Sequence, residues 1–229
     1  MIKTILSILL SATLVSCCKQ GTKFFCIDAE IAKALDGDTL TVAFSPDGVS
    51  LEHFSTGIVK DGKFHLEGIV DNCTIGYIWS NTPGSNINSL FFIEKGNVRI
   101  CVDSTSCRIT GTPINDRYNT VKDSIAYYLP QLEEFEELYY SIPLDNNELR
   151  HLSATGLARQ ERLIDYLRRT AMENIGNTMG LYMIVAYNEL FTTTELCALK
   201  ESIPHSLVDG GKSPFYNVIS DILRERLGF

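Results

Sequence analysis

The chain has 229 residues, with 20 Lys and Arg against 28 Asp and Glu and a formal charge of −8. At 45% apolar and 21% charged residues it has enough material for one large domain or two small ones, which excludes disorder and fibrous rods. The acidic balance, with a pI near 5.0, argues against nucleic acid as a partner.

The first predicted element is a leader. Residues 1 to 18 read MIKTILSILLSATLVSCC, with Lys3 ahead of an apolar run of eleven residues from Ile5 to Val15. A bilayer span needs about 20 residues, so the run reads as a signal-peptide core. It ends in Leu14-Val15-Ser16-Cys17, which resembles the lipobox of bacterial lipoproteins. That resemblance implies a signal peptide over 1–16, lipidation of Cys17 with fatty-acyl chains such as palmitate, and a tether over 17–22. Cys18 offers a shifted lipobox that fits less well, and no A-x-A-like cleavage site lies near. Several acyl chains hold a membrane firmly, at about 0.8 kcal/mol per buried CH₂. Cleavage would leave 19 basic against 28 acidic residues, a balance that repels an anionic surface, so the lipid has to supply the attachment. The expected location is the cell envelope, anchored to the outer membrane. Lys19-Gln20 carry no acidic run of the kind that marks surface export, so the periplasmic face is preferred.

A β half follows, over 23–113. Leu40, Val42 and Phe44 alternate with Thr39, Thr41 and Ala43; Phe64 and Leu66 alternate with His65 and Glu67; Val98, Ile100 and Val102 alternate with Arg99, Cys101 and Asp103. A period of two marks strands with one buried face. Asp61-Gly62, between Ile58-Val59-Lys60 and Lys63-Phe64, predicts a two-residue hairpin because that turn needs positive φ. Lys95-Gly96-Asn97 predicts a second hairpin, and Asp36-Gly37 a third turn. About eight short strands at this spacing predict an antiparallel sandwich or open barrel.

Five segments carry a resemblance: Phe24 to Ile27; Gly37 to Val42; Gly57 to Gly68; Phe91 to Ile100; and Ile109 to Asp116. In order and spacing they resemble the domain of unknown function 4369, over about residues 23 to 120. That domain leads many exported lipoproteins of Gram-negative bacteria. In those proteins it is followed by a helical stretch, which Asn177 to Tyr182 and Phe215-Tyr216 also resemble. A thioredoxin-like thiol–disulfide oxidoreductase domain with Cys-x-x-Cys comes next. No Cys-x-x-Cys occurs in this sequence, so no catalytic residue of that domain is carried over.

The remainder, 114–229, reads as helical. Val121, Ile125, Tyr128, Leu132, Phe135 and Tyr139 make one face, and Leu149, Leu152, Leu163, Leu167 and Ala171 another. Pro130 predicts a kink. Thr192-x-x-Glu195 reads as a capping box before a helix that Pro204 closes, and Ser213-Pro214 opens the last helix. With about five helices after the strands, the expected class is α+β.

Candidate chemistry is sparse. Beyond Cys17, the cysteines Cys18, Cys26, Cys73, Cys101, Cys107 and Cys197 allow 15 pairings in an oxidising compartment. Cys101 and Cys107 are the nearest pair, but their phases point to opposite faces, which argues against a bridge. Small buried apolar thiols are the favoured reading. His53, His65, His151 and His205 lack metal-ligand partners at i+2 to i+4, and His65 on a polar strand face reads as solvated. Gly210-Gly211-Lys212-Ser213 imitates a phosphate loop, but Ser206 stands where the first glycine belongs. Glu133, Glu134, Glu136 and Glu137 read as a solvated face, with Arg159, Arg162, Arg168 and Arg169 as candidate partners. Asn72-Cys73-Thr74 fits an N-glycosylation sequon, and Asp38-Thr39-Leu40 and Asp123-Ser124-Ile125 resemble a bacterial O-glycosylation triplet.

The expectation is therefore a non-enzymatic, lipid-anchored envelope protein that binds a protein or small molecule. No catalytic residue, cofactor or metal ligand is assigned, and no nucleic acid is expected. The alternative is an accessory or remnant of a periplasmic thiol–disulfide exchange system.

Overall fold

The structure, a computed structural model, describes residues 24–31, 36–82, 87–103, 107–141, 146–208 and 214–228. Of these, 53–54, 131–141, 146, 148–149, 152 and 208 are described by backbone only. The leader with Lys3, the proposed lipidation site Cys17, its neighbour Cys18, and the Gly210-Gly211-Lys212-Ser213 segment lie outside the described residues.

Alternation in the sequence becomes eight strands in two four-stranded sheets that do not close into a barrel. The first sheet runs in the order β4 (Lys63–Ile69), β1 (Phe24–Ile31), β7 (Gly96–Val102), β8 (Cys107–Thr110). The second runs β3 (Glu52–Ile58), β2 (Thr39–Ser45), β5 (Thr74–Ser80), β6 (Asn88–Ile93). An all-antiparallel arrangement was expected, and one pair departs from it: β1 and β7 run parallel, Phe25 beside Gly96 through Ile31 beside Val102. The long path through the second sheet between them frees this pair from the reversal that a short hairpin imposes.

The tight turns are corners, not hairpins. Asp61 and Gly62 have φ of 52° and 67°, and Lys60 and Lys63 exchange both backbone hydrogen bonds at 2.9 Å, as the two-residue turn requires. Pairing stops there. β3 belongs to the second sheet, while β4 pairs with β1 over seven residues, from Phe24 beside Ile69 to Glu30 beside Lys63. Val59, 1% exposed, plugs the crossing, and the Ile31 N–H donates to the Gly62 carbonyl at 2.8 Å. A Cβ at Gly62 would lie 2.8 Å from the Ile31 carbonyl oxygen, so glycine is required there for space as well as φ. The turns at Asp36-Gly37 and before Gly96 likewise carry the chain from one sheet to the other. The hairpins are β2–β3, β5–β6 and β7–β8.

Between the sheets lie Phe25, Ile27, Phe64, Val98, Ile100 and Ile109 from the first, and Leu40, Val42, Ile78, Phe91 and Ile93 from the second. The outer face of the second sheet is buried too. Ile75 and Phe92 join a separate apolar cluster with Val121, Leu163, Leu167, Ala171, Met183 and Phe215 from the helices. This is why β6 reads Leu90-Phe91-Phe92-Ile93 without alternation: both of its faces are covered.

Among the described residues six α-helices follow the strands: α1 (Pro113–Ser141), α2 (Asn146–Glu173), α3 (Thr178–Ala186), α4 (Thr193–Ser202), α5 (His205–Val208) and α6 (Pro214–Leu227). One more than expected is present because α5 is a single turn after Pro204. α1 contains Pro130 and runs on to Ser141. Its first turns hold the edges of both sheets. Asn115, 2% exposed, donates to the Phe92 carbonyl at 2.7 Å and accepts from the Phe92 N–H at 2.8 Å, pairing the edge strand β6 as another strand would. One turn later Asn119 donates to the Ile109 carbonyl of β8. Phe92, Tyr118 and Tyr182 pack edge to face with centroids 5.2 to 6.1 Å apart, joining sheet to helices. Burial pushes the Tyr182 hydroxyl up to about 12.

Thr192 caps α4 as predicted, its hydroxyl accepting from the Glu195 N–H at 3.2 Å while the Glu195 carboxylate accepts from the Thr192 N–H at 2.8 Å. The side chains of Leu132, Phe135, Tyr139, Leu149 and Leu152 lie outside the described residues. No described helix is long and apolar enough to cross a membrane.

Candidate functional site

With α1 across the β6 and β8 edges, the opposite side of the sandwich ends in the edge strands β3 and β4. A cleft of about 620 Å³ opens at this side, within the range of small-molecule sites. Phe25 and Phe44 pack edge to face across its floor, centroids 6.1 Å apart. Leu66, Ile69 and Val70 supply apolar walls, and Glu67, Asp71 and Asn72 bring polar groups to the same cleft. Gly68 lets the Phe25 ring lie against β4, since a Cβ there would sit 2.7 Å from the ring. Ile69 is 66% exposed at the mouth. A second cleft, about 840 Å³ and lined by Lys200, Glu201, Asp221 and Arg224 among others, lies against α4 and α6. Its lining mixes those charges with Tyr216, Leu223 and Leu227.

The outward face of the first sheet holds a second feature. Strand pairing sets Asp28 opposite His65 and Cys26 opposite Glu67, all on one face because alternate residues share a face. His65 Nδ1 lies 2.7 Å from Asp28 Oδ1, a hydrogen bond in which the imidazole N–H donates to the carboxylate. Cys26 Sγ lies 3.8 Å from both His65 Nδ1 and Asp28 Oδ2. Glu67 Oε2 is 4.0 Å from the other ring nitrogen of His65. Cys26 is fully buried, while the His65 side chain is half exposed.

This cluster corrects the view of the histidines from spacing alone. His65 is not merely solvated; two ligand-type side chains from β1 surround its Nδ1. Positions 26 and 28 share a strand face by their spacing, but only the β1–β4 pairing brings in a residue 37 positions away. His151 is exposed, His205 begins α5, and His53 has backbone only.

Cys101 faces solvent and Cys107 packs toward the core, on opposite faces, and no disulfide joins the described cysteines. Burial pushes the Cys73 thiol up to about 12 and raises Cys107, so both stay protonated and unreactive. Arg168, offered above as a partner for the glutamates of α1, pairs instead with Glu195 of α4 and lies over the Phe191 ring. The side chains of Glu133, Glu134, Glu136 and Glu137 lie outside the described residues. Of the glycosylation patterns, Asn72-Cys73-Thr74 lines the cleft, and the Ser124 hydroxyl donates to the Thr120 carbonyl at 2.8 Å.

No curated protein matches the chain. The model of one family, described as Domain of unknown function (DUF4369), matches residues 25–118. That stretch runs from β1 to the opening turns of α1 and includes Asn115, which holds β6. Residues 25–118 are therefore similar to the domain that this family describes.

Proposed function

We propose that the protein is a non-enzymatic, lipid-anchored binding module of the cell envelope, whose cleft takes an apolar or amphipathic small molecule. One observation carries this reading: α1 closes the sandwich on one side, and on the other, among the described residues, Phe25, Phe44, Leu66 and Ile69 line a cleft. Apolar area buried there would contribute about 25 cal/mol per Å². Asp71 and Asn72 would orient a polar end. The leader motif supports attachment through Cys17 with the folded body held in the periplasm.

Binding of the neutral dye Nile red tests the cleft. The dye is expected to bind with enhanced emission. Ile69→Asp, which puts a carboxylate at the exposed mouth without touching the core, should weaken binding at least tenfold, and Phe44→Ala should weaken it as well. Equal dye affinity in Ile69→Asp, with unchanged circular dichroism, would sink the reading.

A further inference from the structure

We propose that Cys26, Asp28 and His65 form a binding site for a divalent transition-metal ion of the zinc class. This goes beyond the cleft and is independent of it. The three side chains offer thiolate, carboxylate and imidazole, the donor set such ions prefer. Their ligand atoms all lie within 4.8 Å of one another. Zinc–sulfur bonds of about 2.3 Å and zinc–nitrogen bonds of about 2.0–2.1 Å at a tetrahedral angle put ligand atoms about 3.3–3.6 Å apart. The observed separations are 3.8, 3.8 and 2.7 Å, so the imidazole and carboxylate would part by about 0.6 Å and the sulfur close in by about 0.2 Å.

Surroundings favour the same reading. A cysteine in the outward phase of β1 does not serve the core between the sheets; that face also carries Asp28, His65, Glu67 and Phe24 and, one strand over, Asn97 beside Cys26 and Arg99 beside Asp28. The Asn97 Oδ1 atom is buried with no hydrogen-bond partner, an acceptor that a metal-bound water could satisfy. Glu67 stands near His65 Nε2, where a carboxylate commonly orients a ligating imidazole. Full burial of Cys26 argues against the same trio working as a thiol nucleophile, since a substrate could not reach the sulfur. The half-exposed His65 side leaves a coordination position open to water.

Proton balance is simple. The Cys26 thiol releases one proton to solvent as the sulfur–metal bond forms. The neutral imidazole moves its proton from Nδ1 to Nε2, toward Glu67, freeing Nδ1 for the ion. Thiolate and carboxylate together cancel the two positive charges.

Titration of the purified, reduced, metal-free protein with Co²⁺ and Zn²⁺ tests this. One equivalent of Co²⁺ should give a sulfur-to-cobalt charge-transfer band with tetrahedral visible bands, and Zn²⁺ should displace it and raise Tm. Cys26→Ser should abolish the charge-transfer band. Asp28→Asn and His65→Gln, at partly exposed positions that leave the core intact, should each weaken binding at least tenfold. A variant with Cys17, Cys18 and Cys101 replaced by Ser should keep the band. Absence of the band, its persistence at full affinity in His65→Gln and Asp28→Asn, or its loss in the triple variant would each overturn the site.

Discussion

Glu195 closes the capping box of α4 with its charge as well as its shape. The N–H and hydroxyl of Thr192 both donate to its carboxylate, at 2.8 and 2.9 Å, and hold its pKa below the ordinary 4.5; Arg168 beside it adds to this. A carboxyl lowered by folding contributes stability that is fully present above its unfolded value and is lost as pH falls through its folded value. Glu195→Gln keeps the acceptor and removes the charge, so it should lower stability at pH 7 by no more than ~1 kcal/mol, because the group is solvent-screened. Thermal melts of the two proteins should differ at neutral pH and converge below the lowered folded value, under pH 4.5. A difference that grows in acid would contradict this. Thr192 and Glu195 were legible in the sequence because a cap is a local bond across three residues. Cys26, Asp28 and His65 were not, because their meeting depends on a strand pairing that no local pattern encodes.

Among elements, α1 does what a further strand would do. Asn115 satisfies the N–H and carbonyl of Phe92 on the outer edge of β6 from within the first turn of the helix. Asn115→Ala would leave both groups buried and unpaired, each costing ~1–3 kcal/mol, so a loss of roughly 2–6 kcal/mol is expected. Denaturant unfolding should show a lower midpoint at unchanged slope; a loss under ~1 kcal/mol would show that water replaces the side chain. Alternation placed most strand segments correctly from Leu40 to Val102. It misplaced the connections, because Asp61-Gly62 encodes a sharp reversal but not the sheet that the outgoing strand joins. Phe64 and Leu66 settle that by packing beside Phe25, and the partner strand lies more than 30 residues back in the chain.

For the molecule as a whole, attachment and fold are separable. If Cys17 carries the lipid, metabolic labelling with an alkynyl fatty acid should mark the native protein, Cys17→Ser should lose the label and move the protein to the aqueous phase on detergent partition, and Cys18→Ser should change neither. Label retained in Cys17→Ser would refute the assignment. Two-part α+β organisation was visible from the switch of period near residue 113. The depth of contact between the parts was not, since nothing local says that Ile75 and Phe92 look outward into the helices while Ile78 and Phe91 look inward. That two-sided burial sets a practical limit on dissecting the chain. A fragment cut at residue 118 would keep every strand yet strip the cover from Ile75, Tyr77, Leu90 and Phe92, exposing a greasy flank that invites self-association. The helical partner is in effect a built-in solubiliser, and any study of the isolated sandwich would first have to replace those four side chains with polar ones.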